Sequence, residues 1–372
     1  MTGSGRRDVR WSVLRALLPS GADAFAAMLL TASTLAAATS REGAPLELAP
    51  RGRATSSRRE GAPLELAPRG NVASRREGAP RRATSAARRD GVEAELAPSM
   101  RGVSMLGADG ERGVAEGLGV VMALVRRLVV ACGVPRGGAV VARAERAGSI
   151  AEALLIALGA APTRARVAAM NAALVLCADH ELNVSSFAVR VAASAGASLP
   201  ACVLAGLAAL SGPRHGGATR AVEELTLAIG APEHAAAAIA EHRARGEAVP
   251  GFGHPLYPAG DPRGALLLDR AVKLAPRARG VRVLVAAASA MKLAEHEAPT
   301  VDVGLVALAR ALGLPRGAPL AIFACGRLAG WIAHALEQQR EGHLLRPRAR
   351  YVAQSASAST LRTVSAIGVA GA

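Results

Sequence analysis

The chain has 372 residues, 51% of them apolar but only 2% aromatic, and carries a formal net charge of +16 at pH 7. Alanine and leucine, both good helix formers, dominate, and the β-branched and aromatic clusters that mark strands are scarce, so the composition predicts an all-α fold with room for two domains. The charge, nearly all arginine, suits an anionic partner; with only 2 Trp, 2 Tyr and 4 Phe, none in an arginine cluster, and no zinc-finger or RNP-like spacing, it argues against nucleic acid as the main one.

Along the chain, Arg6, Arg7, Arg10 and Arg15 precede the apolar run "AFAAMLLTASTLAAA". A basic segment before an alanine-rich end has the shape of an export signal, but polar "PSGAD" separates the two parts, and helices over 10–18 and 22–37 account for the stretch equally well. No 18-residue apolar run free of charges and breakers reads as a membrane span. "SREGAPLELAPRG" then starts at Ser40 and returns as "SRREGAPLELAPRG" at Ser57, with worn copies from Ser74 and Ala87. These units offer only "LEL" between prolines and lack the apolar face of a solenoid repeat, so 39–112 is expected to be a low-complexity, disordered insertion.

From about residue 113 helical periodicity takes over. Helices are predicted from 113 to the glycine before Pro135, then over 149–159, 163–182, 183–197, 199–212, 217–229, 232–245, 262–275, 279–295, 301–312 and 317–338. Ser149 is the expected cap of the second, and Gly159 its stop. The four cysteines, Cys132, Cys177, Cys202 and Cys325, show no C-x-x-C spacing and read as buried free thiols, which fits a reducing, cytoplasmic setting.

Candidate chemistry gathers around three histidines: His180 in "ADHELN", His215 in "SGPRHGGA" and His254 in "GFGHPLY". Singly, each reads as a structural histidine; two of them stand beside glycines, where backbone N–H groups can approach a ligand. No ligand pair has zinc spacing, so no metal is expected. The loop "GFGHPLYPAGDPR" is dense in glycine and proline, and such a loop can hold His254 and Arg263 at a fixed separation.

The segment "LCADHELNVSSFAVRVAASAGASLPACVLAGLAALSGPRHGGA" resembles the core of the citrate synthase family. "PGFGHPLYPAGDPR" resembles its signature loop, "VDVGLVALARALGLP" and "PLAIFACGRLAGWIAHALEQ" its next two helices, and "LLRPRARY" its C-terminal tail. The resemblance is strong over 149–352, with weaker similarity near the N-terminus. It implies an all-α, two-domain citrate synthase-like fold: 1–38 as an N-terminal helical segment of a large domain, 39–112 as an insertion, 113–215 as large domain, 216–320 as a smaller domain, and 321–372 as C-terminal helices and tail.

The implied activity is an acyltransferase that condenses acetyl-CoA with oxaloacetate and then hydrolyses the thioester, with no cofactor. Such chemistry needs a base, an enol stabiliser, a ketone polariser and a carboxylate clamp. By resemblance these are Asp302, His215, His254, and the set His180, Arg263, Arg327 and Arg346, with Arg346 reaching in from the other subunit of a homodimer. Without the resemblance, Asp302 reads as the cap of a helix starting at Val303, and Arg346 as part of a solvated tail.

The chain departs from the family pattern in three places. Pro255 and "PAG" stand where the family carries basic residues that contact CoA; "HGGATR" replaces HGGANE; and "TVDVG" lacks a Phe-Tyr pair after the aspartate. These changes bear on the acyl donor, and propionyl-CoA, giving 2-methylcitrate, is the alternative. The competing classes are a non-catalytic relative that binds a dicarboxylate and a basic nucleic-acid-associated protein.

Overall fold

The computed structural model describes residues 18, 22–41, 108–295 and 297–348. Among these every regular element is a helix, and the β content is one isolated antiparallel bridge between Phe252 and Pro299. The expected helix over 10–18 and almost all of the repeats lie outside the described residues.

The first helix, α1 (Ala24–Arg41), and the second, α2 (Ala108–Ala131), each run a few residues into the stretch read as an insertion. A 3₁₀ turn (Val134–Arg136) and α3 (Gly138–Glu145) follow. No helix was predicted over this stretch, where Gly137, at φ 105°, is the N-cap of α3. Next come α4 (Ile150–Leu158), α5 (Arg164–Cys177), α6 (Val184–Ser194) and α7 (Leu199–Leu210). After them stand α8 (Gly217–Ile229), α9 (Ala235–Ala244), α10 (Pro262–Leu274), α11 (Arg279–Glu295), α12 (Val301–Leu312) and α13 (Ala318–Glu341).

Caps read from sequence form as side-chain bonds. Ser149 accepts from the Glu152 N–H, and Gly159 ends α4 in the left-handed region at φ 89°. The helix expected over 163–182 is corrected by the structure: α5 stops at Cys177. "ADHELN" breaks it because Asp, His and Asn are weak helix formers, Glu181 sits at φ 53°, and Asn183 turns its side chain to cap α6. His180 therefore lies in a turn, free of the helix.

The described parts of 1–43 and 124–372 form one compact unit, whose hub is α13. This helix packs on α1, α5, α6, α7 and α12. Its interior face carries Leu328, Trp331 and Ile332, all buried. Burying each such side chain contributes roughly 1.5–3 kcal/mol. Although α13 is the described helix long and apolar enough to cross a membrane, 78% of that stretch is buried in the protein. A second apolar cluster is drawn wholly from 222–307, including Val222, Ile229, Ile239, Leu284, Met291 and Val303. All four cysteines are free and buried.

Candidate active site

Two close helix approaches bring the site together. On α13, a Cβ added at Gly326 lies 2.7 Å from the Cβ of Cys177, and one added at Gly330 lies 2.2 Å from the carbonyl oxygen of Ala178. Only glycine lets the end of α5 sit this close. The Gly330 N–H reaches Ala178 O at 3.0 Å, and the Arg327 Nε–H reaches Cys177 O at 2.6 Å. The turn bearing His180 is thus tied to the helix bearing Arg327.

The second approach is between α10 and α12. A Cβ at Gly264 meets Thr300 O at 2.3 Å, and one at Gly304 meets the Leu267 Cβ at 2.7 Å. Arg263 and Asp302 stand next to this crossing. The signature loop is laced to the same place, for Thr300 N–H donates to Gly251 O at 2.8 Å and Gly253 N–H to Ala298 O at 3.3 Å.

Six of the seven residues singled out from sequence occupy one neighbourhood. The rings of His180 and His254 lie edge to face with centroids 5.6 Å apart. Tyr257 completes a three-ring cluster, 5.1 Å from His254 and 5.6 Å from His180, and the Arg263 guanidinium lies 5.3 Å from its ring. Phe323 links the other side, with His215 at 6.0 Å and the Arg327 guanidinium at 5.0 Å from its ring. Arg346 stands apart: it is exposed, in the non-helical stretch after α13.

Arg327 is the most telling side chain. It is 1% exposed, yet its Nη1 and Nη2 find no acceptor among the described residues. A buried guanidinium with its fork unfilled is a strong donor to a carboxylate. Burial pulls the Arg327 pKa below its usual value, as expected for a charge without a counter-ion. Arg263 differs, for Asp261 already holds it.

Two of the histidines, His215 and His180, are pushed toward their neutral forms. Burial, then the nearby Arg327 and His180, drives His215 down to about 4, and burial with Arg263, Arg327 and His254 lowers His180. The Leu256 N–H donates to His254 Nδ1 at 3.1 Å, so the proton of a neutral His254 resides on Nε2. Asp302 moves the other way. Burial raises it to about 6, against the Thr300 hydroxyl and Arg263, which lower it. Thr300 is the N-cap of α12, accepting from the Asp302 N–H at 3.3 Å, so Asp302 is not the helix cap and its carboxylate is left for other work. A carboxylate with a pKa near 6 is a better base than an ordinary one and still ionised at pH 7.

Sequence reasoning missed Ser185, Tyr257, Asp261 and Trp331. Ser185 is fully buried; its Oγ lies 2.8 Å from His215 Nε2 and receives the Trp331 Nε1–H at 3.1 Å. Its own proton goes to Asn183 Oδ1 at 2.8 Å. The orientation of that amide follows from its Nδ2, which donates to His180 O at 3.2 Å. His215 then gives its Nε2–H to Ser185. For Nδ1–H to face a ligand instead, Ser185 must turn its hydroxyl from Asn183 to His215. Ser185 showed no sequence signal beyond "NVSSF", whereas Asp261 was legible as a cap before Pro262. No three His, Cys, Asp or Glu side chains among the described residues converge as metal ligands.

The described residues fold as helices and gather histidines, arginines and a carboxylate of raised pKa in one place. The family model "Citrate synthase, C-terminal domain" matches residues 90–348, and the chain belongs to the citrate synthase family.

Among curated relatives, the chain is 35% identical over 206 residues to citrate synthase 2 of Bacillus subtilis, covering 54% of this chain and 55% of that one. It is 34% identical over 200 residues to a 2-methylcitrate synthase of Shewanella oneidensis, covering 53% of each. The chain thus spans about half the length of the curated relatives it matches. A citrate synthase from Thermoplasma acidophilum, solved as a ternary complex with carboxymethyl coenzyme A and oxaloacetate, superposes with a TM-score of 0.63 at 22% identity, covering 94% of this chain and 78% of that one; at this identity the likeness speaks for the fold. One from Pyrobaculum aerophilum gives 0.56 at 26% identity, covering 68% and 65%.

Proposed function

We propose that this chain is a citrate synthase-type acyltransferase, condensing acetyl-CoA with oxaloacetate to give citrate and CoA. The observation that carries the reading is the unfilled, buried guanidinium fork of Arg327 beside His180, within the same cluster as His215, His254 and Asp302. Asp302 takes a proton from the acyl methyl group; Ser185 turns its hydroxyl from Asn183 onto His215 Nε2, and the His215 Nδ1–H so placed donates to the thioester oxygen and stabilises the enol. The enol carbon attacks the ketone carbon of oxaloacetate. His254, through Nε2–H, polarises that ketone and protonates the new alkoxide. Water then cleaves the thioester and releases CoA. Arg327 and Arg263 grip the carboxylates, and His180 adds a hydrogen bond.

The functional unit in this reading is a homodimer in the cytoplasm. On α6, Val184, Phe187 and Val191 are 67%, 44% and 38% exposed at positions i, i+3 and i+7, an apolar stripe suited to a second copy. Arg346, exposed on its tail, would enter the neighbouring site and complete the carboxylate clamp. The smaller domain at about 216–320, supported by the separate cluster over 222–307, closes over the substrates. A relative named 2-methylcitrate synthase keeps propionyl-CoA as the second reading of the donor.

Calorimetric titration with oxaloacetate tests the carrying observation. Binding is expected for the natural chain, with a loss of about a hundredfold or more in Arg327→Ala, as for a charge-assisted bidentate contact. A folded chain that binds no oxaloacetate, or an Arg327→Ala variant that binds equally well, overturns the reading.

A further inference from the structure

Tyr257 does no work in the mechanism above, yet it occupies the middle of the site. Its hydroxyl is 3.0 Å from His180 Nε2. It closes a turn on His254, with its N–H donating to His254 O at 2.9 Å, and its ring lies against both histidines and the Arg263 guanidinium. We propose that Tyr257 is a positioning residue: its O–H donates to His180 Nε2, fixes the proton of that imidazole on Nδ1, and so makes His180 a neutral donor toward an anionic ligand.

The argument is one of acids, bases and available protons. Phenol is the better acid and imidazole the better base, so the proton between them belongs to the tyrosine oxygen. His180 is held neutral by burial and by the positive charges of Arg263 and Arg327, so it has a single ring proton. If that proton sat on Nε2 it would be spent on Tyr257, and the ring would offer an anion only a lone pair. With Tyr257 as donor, Nδ1–H is free for the ligand.

The same turn treats the second histidine in the same way, since the Leu256 N–H takes His254 Nδ1 and leaves its proton on Nε2. The four residues His254–Pro255–Leu256–Tyr257 thus set the proton positions of both imidazoles from one side. Pro255, which fixes its own φ, makes that turn stiff. The inference rests on the oxaloacetate-binding reading only for its effect on affinity; the proton position is a property of the free protein.

The experiment is nitrogen NMR of the ligand-free chain labelled at histidine, with the His180 signals assigned from a His180→Asn variant. The natural chain is expected to show His180 protonated on Nδ1 and His254 on Nε2. Tyr257→Phe is expected to shift His180 toward the Nε2–H form while leaving His254 unchanged, because Leu256 still holds it. The affinity for oxaloacetate should fall about threefold to tenfold, the range for one lost hydrogen bond.

The chain has two tyrosines, so 3-fluorotyrosine, a stronger acid of nearly the same shape, can be substituted throughout and should move the His180 Nε2 resonance without affecting the fold. His180 protonated on Nε2 in the natural chain overturns the proposal, as does an unchanged His180 tautomer in folded Tyr257→Phe. A natural chain that shows the expected tautomers but binds no oxaloacetate sinks the functional reading and leaves the role of Tyr257 standing.

Discussion

Asp261 holds Arg263 with both carboxylate oxygens, Oδ1 receiving Nε–H at 3.0 Å and Oδ2 receiving Nη2–H at 2.9 Å. The same Oδ2 accepts the Val301 N–H at 2.9 Å, one residue before Asp302. One buried carboxylate therefore fixes both Arg263 and the start of the helix that carries Asp302.

Asp261→Asn should break this arrangement. Removing one partner of a buried ion pair leaves Arg263 with an uncompensated charge, a loss of about 3 kcal/mol in unfolding free energy. The Asp261 charge also raises the Asp302 pKa, so its removal should move the acidic limb of the kcat/KM profile to lower pH. Urea unfolding and a pH–rate series measure the two effects; an acidic limb that stays in place contradicts the coupling.

Burial of Asp302 costs stability at neutral pH. Its pKa rises from 3.8 unfolded to about 6 folded, so the native state binds the proton more tightly than the unfolded chain. The sign follows: this contribution favours folding below pH 4 and is lost as pH rises through 6. Asp302→Asn should raise unfolding free energy at pH 7.5 by about 1–2 kcal/mol and abolish turnover. Under the proposed mechanism, activity of the natural chain should fall about tenfold from pH 7 to pH 5 as this carboxylate takes up its proton. A variant less stable than the natural chain at pH 7.5 would mean that Asp302 is not held at a raised pKa.

Much of this site was legible in the chain. Helices over 217–229, 279–295 and 301–312 stand where periodicity and caps put them, because their apolar stripes and stop signals agree. The residues His180, His215, His254, Arg263, Asp302 and Arg327 came from the family resemblance, and the structure brings them into one neighbourhood. What stayed hidden depends on partners distant in sequence. Ser185 matters because Trp331 and His215 fold onto it. Gly330 matters because Ala178 needs its space, and Tyr257 because His180 faces it. No local pattern announces such pairings. The overlong helix over 163–182 failed for a local reason, since "ADHELN" supplies a stop that alanine-rich flanks disguise.

Gly330→Ala should act on the site from inside α13. The added methyl would lie 2.2 Å from the Ala178 carbonyl, so the turn carrying His180 must move. Although alanine is the better helix former by about 1 kcal/mol, overpacking against backbone should outweigh it and lower the melting temperature by several degrees. Oxaloacetate affinity should fall with it. A variant more stable than the natural chain would show that the contact is loose.

Phe187→Asp tests the apolar stripe of α6. The residue is exposed, so the fold should survive, and the charge should keep a second copy away. Light scattering should report a dimer for the natural chain and a monomer for the variant. Activity should fall with the dimer, because the proposed mechanism has Arg346 complete the neighbouring site. A dimeric, fully active Phe187→Asp would place the interface elsewhere.

Release of free CoA thiol, followed with oxaloacetate and either acetyl-CoA or propionyl-CoA, bears most directly on the central claim. The account predicts steady thiol release by the natural chain that depends on oxaloacetate, and none by Asp302→Ala; the faster donor names the product. A folded chain that binds oxaloacetate yet releases no thiol with either donor, or an Asp302→Ala variant of undiminished rate, would contradict it.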